Sequence, residues 1–347
     1  MNARLALVLT GLTACMPSTR LQVLQPAEVN MPAEVQRIGI IDRSAPKNVG
    51  QHVLGAIEGL FTGEDIGGDR AAADEAIAAV ADMLVASPRF DAVLPLKDVK
   101  WHDSDVFDRA MEPGRVGELC AAYEVDALVA LEAIDSDTTD TVETRMEETT
   151  DADGNAIVQK KFDATRDTTV LTSWRTYSDK VAWTVLDEQR DVASTRSWTE
   201  TGDSRSEATD QLPSSGDTVA WVGRASGEAY GRRIAPNFIW VTRSYYGAGD
   251  DRLKAARDHV RIGQWDEATE IWSSMTEDPD TKIAGKALHN LATAAEVRGE
   301  LELAKVLATE AAATFGAGVI RDYVYTIDAR IRDAARLEGQ MAPVNGQ

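Results

Sequence analysis

Cysteine and histidine are scarce in this chain: two and four among 347 residues. Two cysteines cannot build a disulfide framework. The histidines, His52, His102, His259 and His289, fall nowhere near the His-Glu-x-x-His spacing that places two imidazoles on one zinc ion. No serine sits in a Gly-x-Ser-x-Gly elbow. Basic charge is also short, with 36 Lys and Arg against 57 Asp and Glu and a formal net charge of −21. Nucleic-acid binding needs clustered cations that displace counterions from phosphate, so that class is excluded. So much acidity suits solubility and mutual repulsion. It also makes carboxylate pairs common by chance, and such pairs point to no acid–base catalysis. Beyond the first fifteen residues no apolar run is long enough to cross a bilayer.

Those first residues are the most informative stretch. Arg4 precedes the apolar run Leu5 to Leu12, which closes on Leu12-Thr-Ala-Cys15. The run is too short for a spanning helix and reads as an export signal, residues 1–14. The Leu-Thr-Ala-Cys ending resembles the lipobox of bacterial lipoproteins. The resemblance implies that the Cys15 thiol carries diacylglyceryl, that the preceding peptide is removed and that the new amino terminus is acylated. One acyl chain anchors marginally, at roughly 0.8 kcal/mol per buried CH₂, whereas two or three on Cys15 would hold the protein permanently. The alternative is an ordinary cleaved signal with an incidental cysteine. With Cys15 lipidated, Cys120 has no partner in the chain and is expected to pack as a small hydrophobe on the helix 113–123.

Residues 15–32 read as a short tether kept extended by Pro17, Pro26 and Pro32. From 33 to 246 the pattern is α/β. Buried strands are expected at 35–41, 89–94 and 126–134, with helices at 48–61, 69–86, 113–123 and 217–234. Between 137 and 201 the period becomes two, with a long hairpin near 137–177 turning at Asp153-Gly154-Asn155. Further strands are expected at 168–177, 180–187 and 192–201, carrying Trp174, Trp183 and Trp198 on a sheet with one buried face. A closing strand follows at 237–243. The fold class expected is an α+β or α/β sandwich, a central mixed sheet with helices packed on it, followed by an all-α repeat domain.

The repeat domain, 250–338, follows the joint Gly247-Ala-Gly249 and precedes a flexible tail, 339–347. Gly263-Gln-Trp-Asp-Glu-Ala268 and Gly299-Glu-Leu-Glu-Leu-Ala304 share a glycine, a large apolar residue and an alanine at equal spacing, 36 residues apart. Tetratricopeptide repeats have 34, and a two-residue insertion near Asp278-Pro279 would account for the difference. Ala256 and Ala292 stand where paired helices must approach, and 323–337 reads as a capping helix. The alternative is a plain Ala-rich helical bundle. Repeat helices present a groove that commonly takes a peptide. The groove positions are Arg252, His259, Lys282, Lys286, His289 and Asn290, whose basic and amide groups suit an acidic segment or carboxylate.

Two acidic loops offer weaker chemistry. Glu64, Asp65 and Asp69 lie among glycines and could hold a hard cation such as calcium, but EF-hand spacing is absent and Asp69 is placed to cap a helix. The glycines there form neither a dinucleotide nor a P-loop pattern. Asp151-Ala-Asp-Gly-Asn155 is accounted for by a hairpin turn.

Further residues carry a second resemblance: Pro26-Ala-Glu ahead of Pro32, Ile38-Gly-Ile-Ile-Asp-Arg-Ser44, Thr62-Gly-Glu with Asp69-Arg70, Ser87-Pro-Arg-Phe90, and Arg232-Arg-Ile-x-Pro236. With the repeats, they make the mature chain similar to a family of envelope lipoproteins, without an assigned activity, that join an α/β domain to tetratricopeptide repeats. At fold level, residues 35–134 also resemble the α/β domain of curli-secretion lipoproteins and of peptidoglycan-synthase activators. The likeness lies in Ser87-x-Arg-Phe-x-x-Val93 and Val125-Asp-Ala-Leu-Val-Ala-Leu131, although Asp126-Ala127 replaces the relatives' Ala-Asp. The charged hairpin at 140–165 argues against a pore.

The functional expectation is a non-catalytic adaptor or assembly factor, lipid-anchored through Cys15 and facing the periplasm. It needs no cofactor and binds envelope proteins or peptides through its repeats. Met16 after the lipidated cysteine, in place of Asp, implies the outer membrane by family resemblance. The alternatives are a ligand-binding or sensory α/β domain, and a hydrolase with an acidic site at the domain junction. Replacing Cys15 by Ala is expected to leave residues 1–14 attached and the chain unacylated. The intact mass of the product checks this, and a normally matured variant would refute it.

Overall fold

The computed structural model describes residues 16–44, 66–96 and 109–342. In chain order its strands are β1 (Ser18–Gln25), β2 (Arg37–Asp42), β3 (Ala92–Pro95), β4 (Ala127–Thr150), β5 (Ala156–Ser178), β6 (Val185–Gly202) and β7 (Asn237–Ser244). The helices are α1 (Ile66–Ala86), α2 (Pro113–Tyr123), α3 (Arg205–Asp210), α4 (Ser215–Ile234), α5 (Asp251–Arg261), α6 (Trp265–Ser273), α7 (Thr281–Val297), α8 (Leu301–Thr314) and α9 (Gly318–Gln340). The described residues form two compact units, one within Pro26–Asn237 together with residues 339–342, the other of residues 16–25 with Phe238–Glu338.

The first unit is α+β, built on a mixed sheet in the order β3-β2-β4-β5-β6. The run Arg37-Ile-Gly-Ile-Ile-Asp42 is apolar without alternation because helices cover both faces of the sheet there. Parallel pairing sets Ile38 beside Val93 on one side and Ala127 on the other. Ile38, Ile40, Val129, Leu131 and Trp174 point to α1 and α4, where Ala76, Val80, Leu84, Tyr230 and Ile234 meet them. Ile41, Leu128, Ala130 and Tyr177 point the other way, onto Val116, Leu119 and Cys120 of α2. The period of two in a strand divides neighbours such as Ile40 and Ile41 between the two cores.

Antiparallel pairing then runs unbroken out of the core. β4 stays with β5 from Ala127↔Ser178 to Thr150↔Ala156, through one register shift between Leu131 and Ala133. β6 flanks β5 from Tyr177↔Val185 to Phe162↔Gly202. α4 docks on β5 through buried hydroxyls. Thr168 donates to Thr218 at 2.9 Å, and Thr172–Ser226 and Thr176–Tyr230 pair at 2.5 and 2.9 Å. α4 also carries Gly223, Gly227 and Gly231 at four-residue spacing against α1. A Cβ on Gly227 would stand 2.1 Å from the Ala76 carbonyl oxygen, so only glycine allows this approach.

Several expectations are corrected. The buried strand 126–134 and the first arm of the hairpin are one strand, β4, and 168–177 is the end of β5. The two strands expected at 180–187 and 192–201 are the single β6, which passes the left-handed Asp191 (φ 45°) without ending. Trp183 therefore lies before β6 and is exposed, whereas Trp174 is buried and stacks on Tyr230 at 5.0 Å. The strand expected at 89–94 is the shorter β3. The helix expected at 48–61 lies outside the described residues. Gln340, assigned to a free tail, is buried, and its side-chain amide exchanges two hydrogen bonds with the Ala27 backbone, both 2.9 Å.

The second unit is helical apart from a two-stranded sheet of β1 and β7. The closing strand, 237–243, thus pairs outside the main sheet, and part of the expected tether is strand. Its helices come as α5–α6 and α7–α8 followed by α9, and the two hairpins turn identically. Gly263 and Gly299 take φ of +80° and +79°. Gln264 N–H reaches His259 O at 3.0 Å and Glu300 N–H reaches Ala295 O at 2.9 Å. This is the glycine-dependent helix end in which a left-handed residue recovers the last carbonyls. Ala256 and Ala292 are fully buried, the first in a core with Trp272, Leu253 and Tyr245, the second in one with Ala304, Ala308 and Tyr323.

The glycine stripe of α4 makes a direct test. Gly227→Ala should destabilise the first unit by about 1–3 kcal/mol through overpacking. Gly216→Ala, on the same helix with nothing within 4 Å of its Cβ, should be neutral or slightly stabilising. Denaturant melts of the two variants check this, and equal midpoints would contradict it.

Candidate functional site

In open sheets with parallel strands, ligands meet the protein beyond the carboxyl ends of those strands. Here β2 ends in Asp42-Arg43-Ser44, beside the point where β4 bulges. Arg43 N–H continues the ladder to Leu131 O at 2.8 Å. Glu132 is the extra residue of the bulge: Leu131 pairs with Trp174 and Ala133 with Ser173, leaving Glu132 unpaired. A bulge of this kind re-aims one side chain, and it turns Glu132 inward to 8 % exposure.

Glu132 finds its partners there. Arg43 Nη1 donates to Glu132 Oε1 at 2.9 Å and to the Tyr177 hydroxyl at 3.1 Å. The Tyr177 hydroxyl donates a short bond to Glu132 and accepts Met111 N–H at 3.2 Å. Burial pushes the Glu132 carboxyl above its ordinary range, against the opposing pull of Arg43 and Tyr177. Burial, then the Glu132 charge, pushes the Tyr177 phenol up to about 12. Nearby, Asp42 accepts Ser44 N–H at 2.9 Å and Arg70 Nη1 at 3.3 Å. This cluster was missed in the sequence, where Arg43 and Glu132 are 89 residues apart.

Asp69 does not cap its helix, because α1 begins at Ile66. It lies in the first turn, where a carboxylate still favours the helix dipole, and accepts the Ser136 hydroxyl at 2.5 Å. Burial, then Asp69 and Asp137, raises the neighbouring Asp135. Glu64 and Asp65 lie outside the described residues, and among the described residues no three His, Cys, Asp or Glu stand close enough to hold a metal. Asp151 accepts the backbone N–H of Asp153 and Asn155 at 3.0 and 2.8 Å, as a hairpin turn requires. Cys120 is buried, its thiol pushed up to about 11 mainly by burial, which leaves no nucleophilic thiolate near neutral pH. Cys15 lies outside the described residues.

On the outer side of α4, Arg196, Trp221, Arg224, Ala225 and Glu228 line an open groove of ≈ 410 Å³. The Trp221 ring that lines it lies 5.9 Å from that of Trp198. Arg224 is neutralised by Asp82 at 2.7 Å, with Glu75 and Glu228 at 3.5 and 3.6 Å.

In the helical unit the six groove positions separate. Arg252 is exposed and bridges Asp250 and Asp278 at 3.0 and 2.6 Å. Lys282 is exposed, 6.0 Å from the Phe315 ring, and Lys286 lies half-buried, 5.4 Å from that of Tyr246. Burial, then Lys282, lowers the Lys286 ammonium. His259 is half-buried and pairs with Gln264 at 2.7 Å. His289 and Asn290, by contrast, face inward at 1 % and 0 % exposure. Asn290 accepts Tyr246 N–H and donates to Tyr246 O, both at 2.7 Å. His289 donates to Ser244 O at 3.0 Å, its ring edge-on to Tyr246 and Tyr323. The chain's own segment 244–246 thus takes the place of a ligand on this part of α7. Burial holds His289 below its usual pKa. Beneath that segment Glu296 is fully buried and takes Arg243 in two bonds, 2.7 and 2.8 Å, and Tyr323 at 2.7 Å.

A family model described as Domain of unknown function (DUF8603) matches residues 35–246, more than half of the chain, and the chain belongs to that family. A second, Domain of unknown function (DUF6340), matches residues 254–329. No curated protein and no solved structure matches the chain.

Tyr177 lends itself to a pH test. Its folded-state pKa of about 12 exceeds the ordinary value of 10.0. The folded chain therefore holds the proton more tightly, and the resulting stability is complete below about pH 10 and is lost as pH rises through about 12. Tyr177→Phe should cost about 1–3 kcal/mol near neutrality by stranding Met111 N–H and a Glu132 oxygen. Its stability should then fall less steeply than wild type over that alkaline window. Denaturant titrations across the window check this, and parallel curves would remove Tyr177 from the transition.

Proposed function

We propose that this member of a family with no assigned activity is a membrane-tethered lipoprotein of the bacterial envelope, lipidated at Cys15, that serves as a non-catalytic adaptor or assembly factor. It faces the periplasm, from the outer membrane, and its helical unit is a short tetratricopeptide array. The matched left-handed glycines 263 and 299, with Ala256 and Ala292 buried where helices meet, support the repeat reading.

The observation that carries the binding role is the bidentate hold of Asn290 on Tyr246. A side-chain amide that takes both N–H and C=O of one residue grips an extended main chain whatever its side chains. Helical-repeat surfaces recognise extended segments by such grips combined with charge. Lys282 and Lys286, each beside an aromatic ring, supply cations on the same helix and favour an acidic segment from an envelope protein. Competition with the chain's own 244–246 segment would make such binding weak and exchangeable.

A second reading, a ligand-binding or sensory α/β domain, draws on the buried Arg43–Glu132–Tyr177 cluster at the carboxyl edge of β2 and β4. A photo-crosslinking residue at Lys282 or at the exposed hairpin turn, Asp153, distinguishes the two. Adducts to envelope protein are expected from position 282 and not from 153. Equal yields, or none from 282, would refute the adaptor role of the helices.

A further inference from the structure

β7 has a fixed outward face. Ile239, Val241 and Arg243 are its half-buried positions, and Arg243 is locked toward the helices by its paired bonds to Glu296. By the strand period of two, Phe238, Trp240 and Thr242 must face out. They do, Phe238 at 50 % and Trp240 at 60 % exposure. From β1, Arg20 lies over the Trp240 ring, 5.3 Å from its centre, with Ser18 and Gln22 exposed on either side. Neither strand contains a carboxylate, in a chain with 57.

Two large aromatics and a cation on an acid-free face match the chemistry of a phospholipid headgroup layer. Tryptophan settles at that depth because its ring is apolar and its N–H is polar. Arginine meets phosphate oxygens with a planar fork of donors. Placement favours the same occupant. Pro17 O accepts Tyr245 N–H at 2.9 Å, which pins the chain to the helical unit two residues beyond Cys15. Two residues reach about 7 Å at ~3.5 Å each.

We propose that the outward face of the β1–β7 ribbon, Arg20, Phe238 and Trp240, rests in the headgroup layer of the membrane that holds Cys15. This rests on the lipid-anchor reading. The patch is too small to hold the protein alone; the anchor keeps it at high effective concentration, and the patch then sets orientation.

The test uses the full acylated chain in phosphatidylcholine vesicles, with Thr242→Cys or Val306→Cys carrying a nitroxide. Val306 is 62 % exposed on α8 and serves as the reference. Reconstitution should cut the access of a water-soluble nickel chelate to position 242 several-fold and leave position 306 unchanged. Adding Phe238→Ser and Trp240→Ser should restore access at 242. An acylated, vesicle-bound chain with 242 as open as 306 would overturn the ribbon proposal and leave the anchor standing. An intact mass without acyl groups would overturn the anchor itself. Shielding of 242 without vesicles, together with a doubled mass in solution, would assign the face to a second copy instead.

Discussion

A carboxylate removed from water must recover its lost hydration from fixed donors, and Glu296 depends on two other elements to do so. Arg243 reaches it from β7, Tyr323 from α9, and Arg330 of α9 stands 3.5 Å away. Breaking such a buried pair from one side costs about 3–5 kcal/mol, because the survivor is left charged in a dry interior. The consequence is geometric as much as energetic. Once Arg243 is committed inward, the parity of β7 leaves Trp240 nowhere to go but out. The buried charge of the helical unit therefore determines its exposed aromatic face.

The same chemistry recurs in the first unit with a different result. Glu132 also takes one arginine and one tyrosine, Arg43 and Tyr177. There the carboxylate is delivered by a bulge in β4 and not by a helix. Both clusters satisfy their charges internally, so both serve first to lock elements together. In the first unit the cluster joins the end of β2, the bulge of β4 and the backbone at Met111.

How far the sequence could be read follows from the range of each interaction. Helix α2, helix α4 and the glycine turns at 263 and 299 depend on residues within a few places of one another, and their bounds and spacing were legible. The apolar runs of β2 and the start of β4 announced burial on two faces. What failed was continuity and partner choice. Nothing local distinguishes two strands joined at Asp191 from one strand that passes through it, and only the ladder to β5 decides. β1 looked like a prolyl tether because its partner, β7, lies more than two hundred residues away. Asn290 and His289 were assigned to an open groove for the same reason: the segment that covers them, 244–246, has no sequence mark of covering anything.

Surfaces left over once internal charges are matched are where outward function must reside. Arg252 looks like a recognition cation in the sequence, yet it is held by carboxylates of its own unit, as Arg224 is in the other. In a chain of net charge −21 this is the expected fate of a cation, since an acid lies within reach of most of them. Arg20 differs because the strands around it carry no acid, and its neighbour is the face of an indole. A guanidinium on an aromatic ring keeps its donors free at the edge, where phosphate can still accept them. Lys282 and Lys286 are similar, each beside an aromatic ring, Phe315 and Tyr246. At Arg20, Lys282 and Lys286 the cation's neighbour is thus a ring, where at Arg224 and Arg252 it is a carboxylate, and only the first arrangement leaves positive charge uncancelled at the surface.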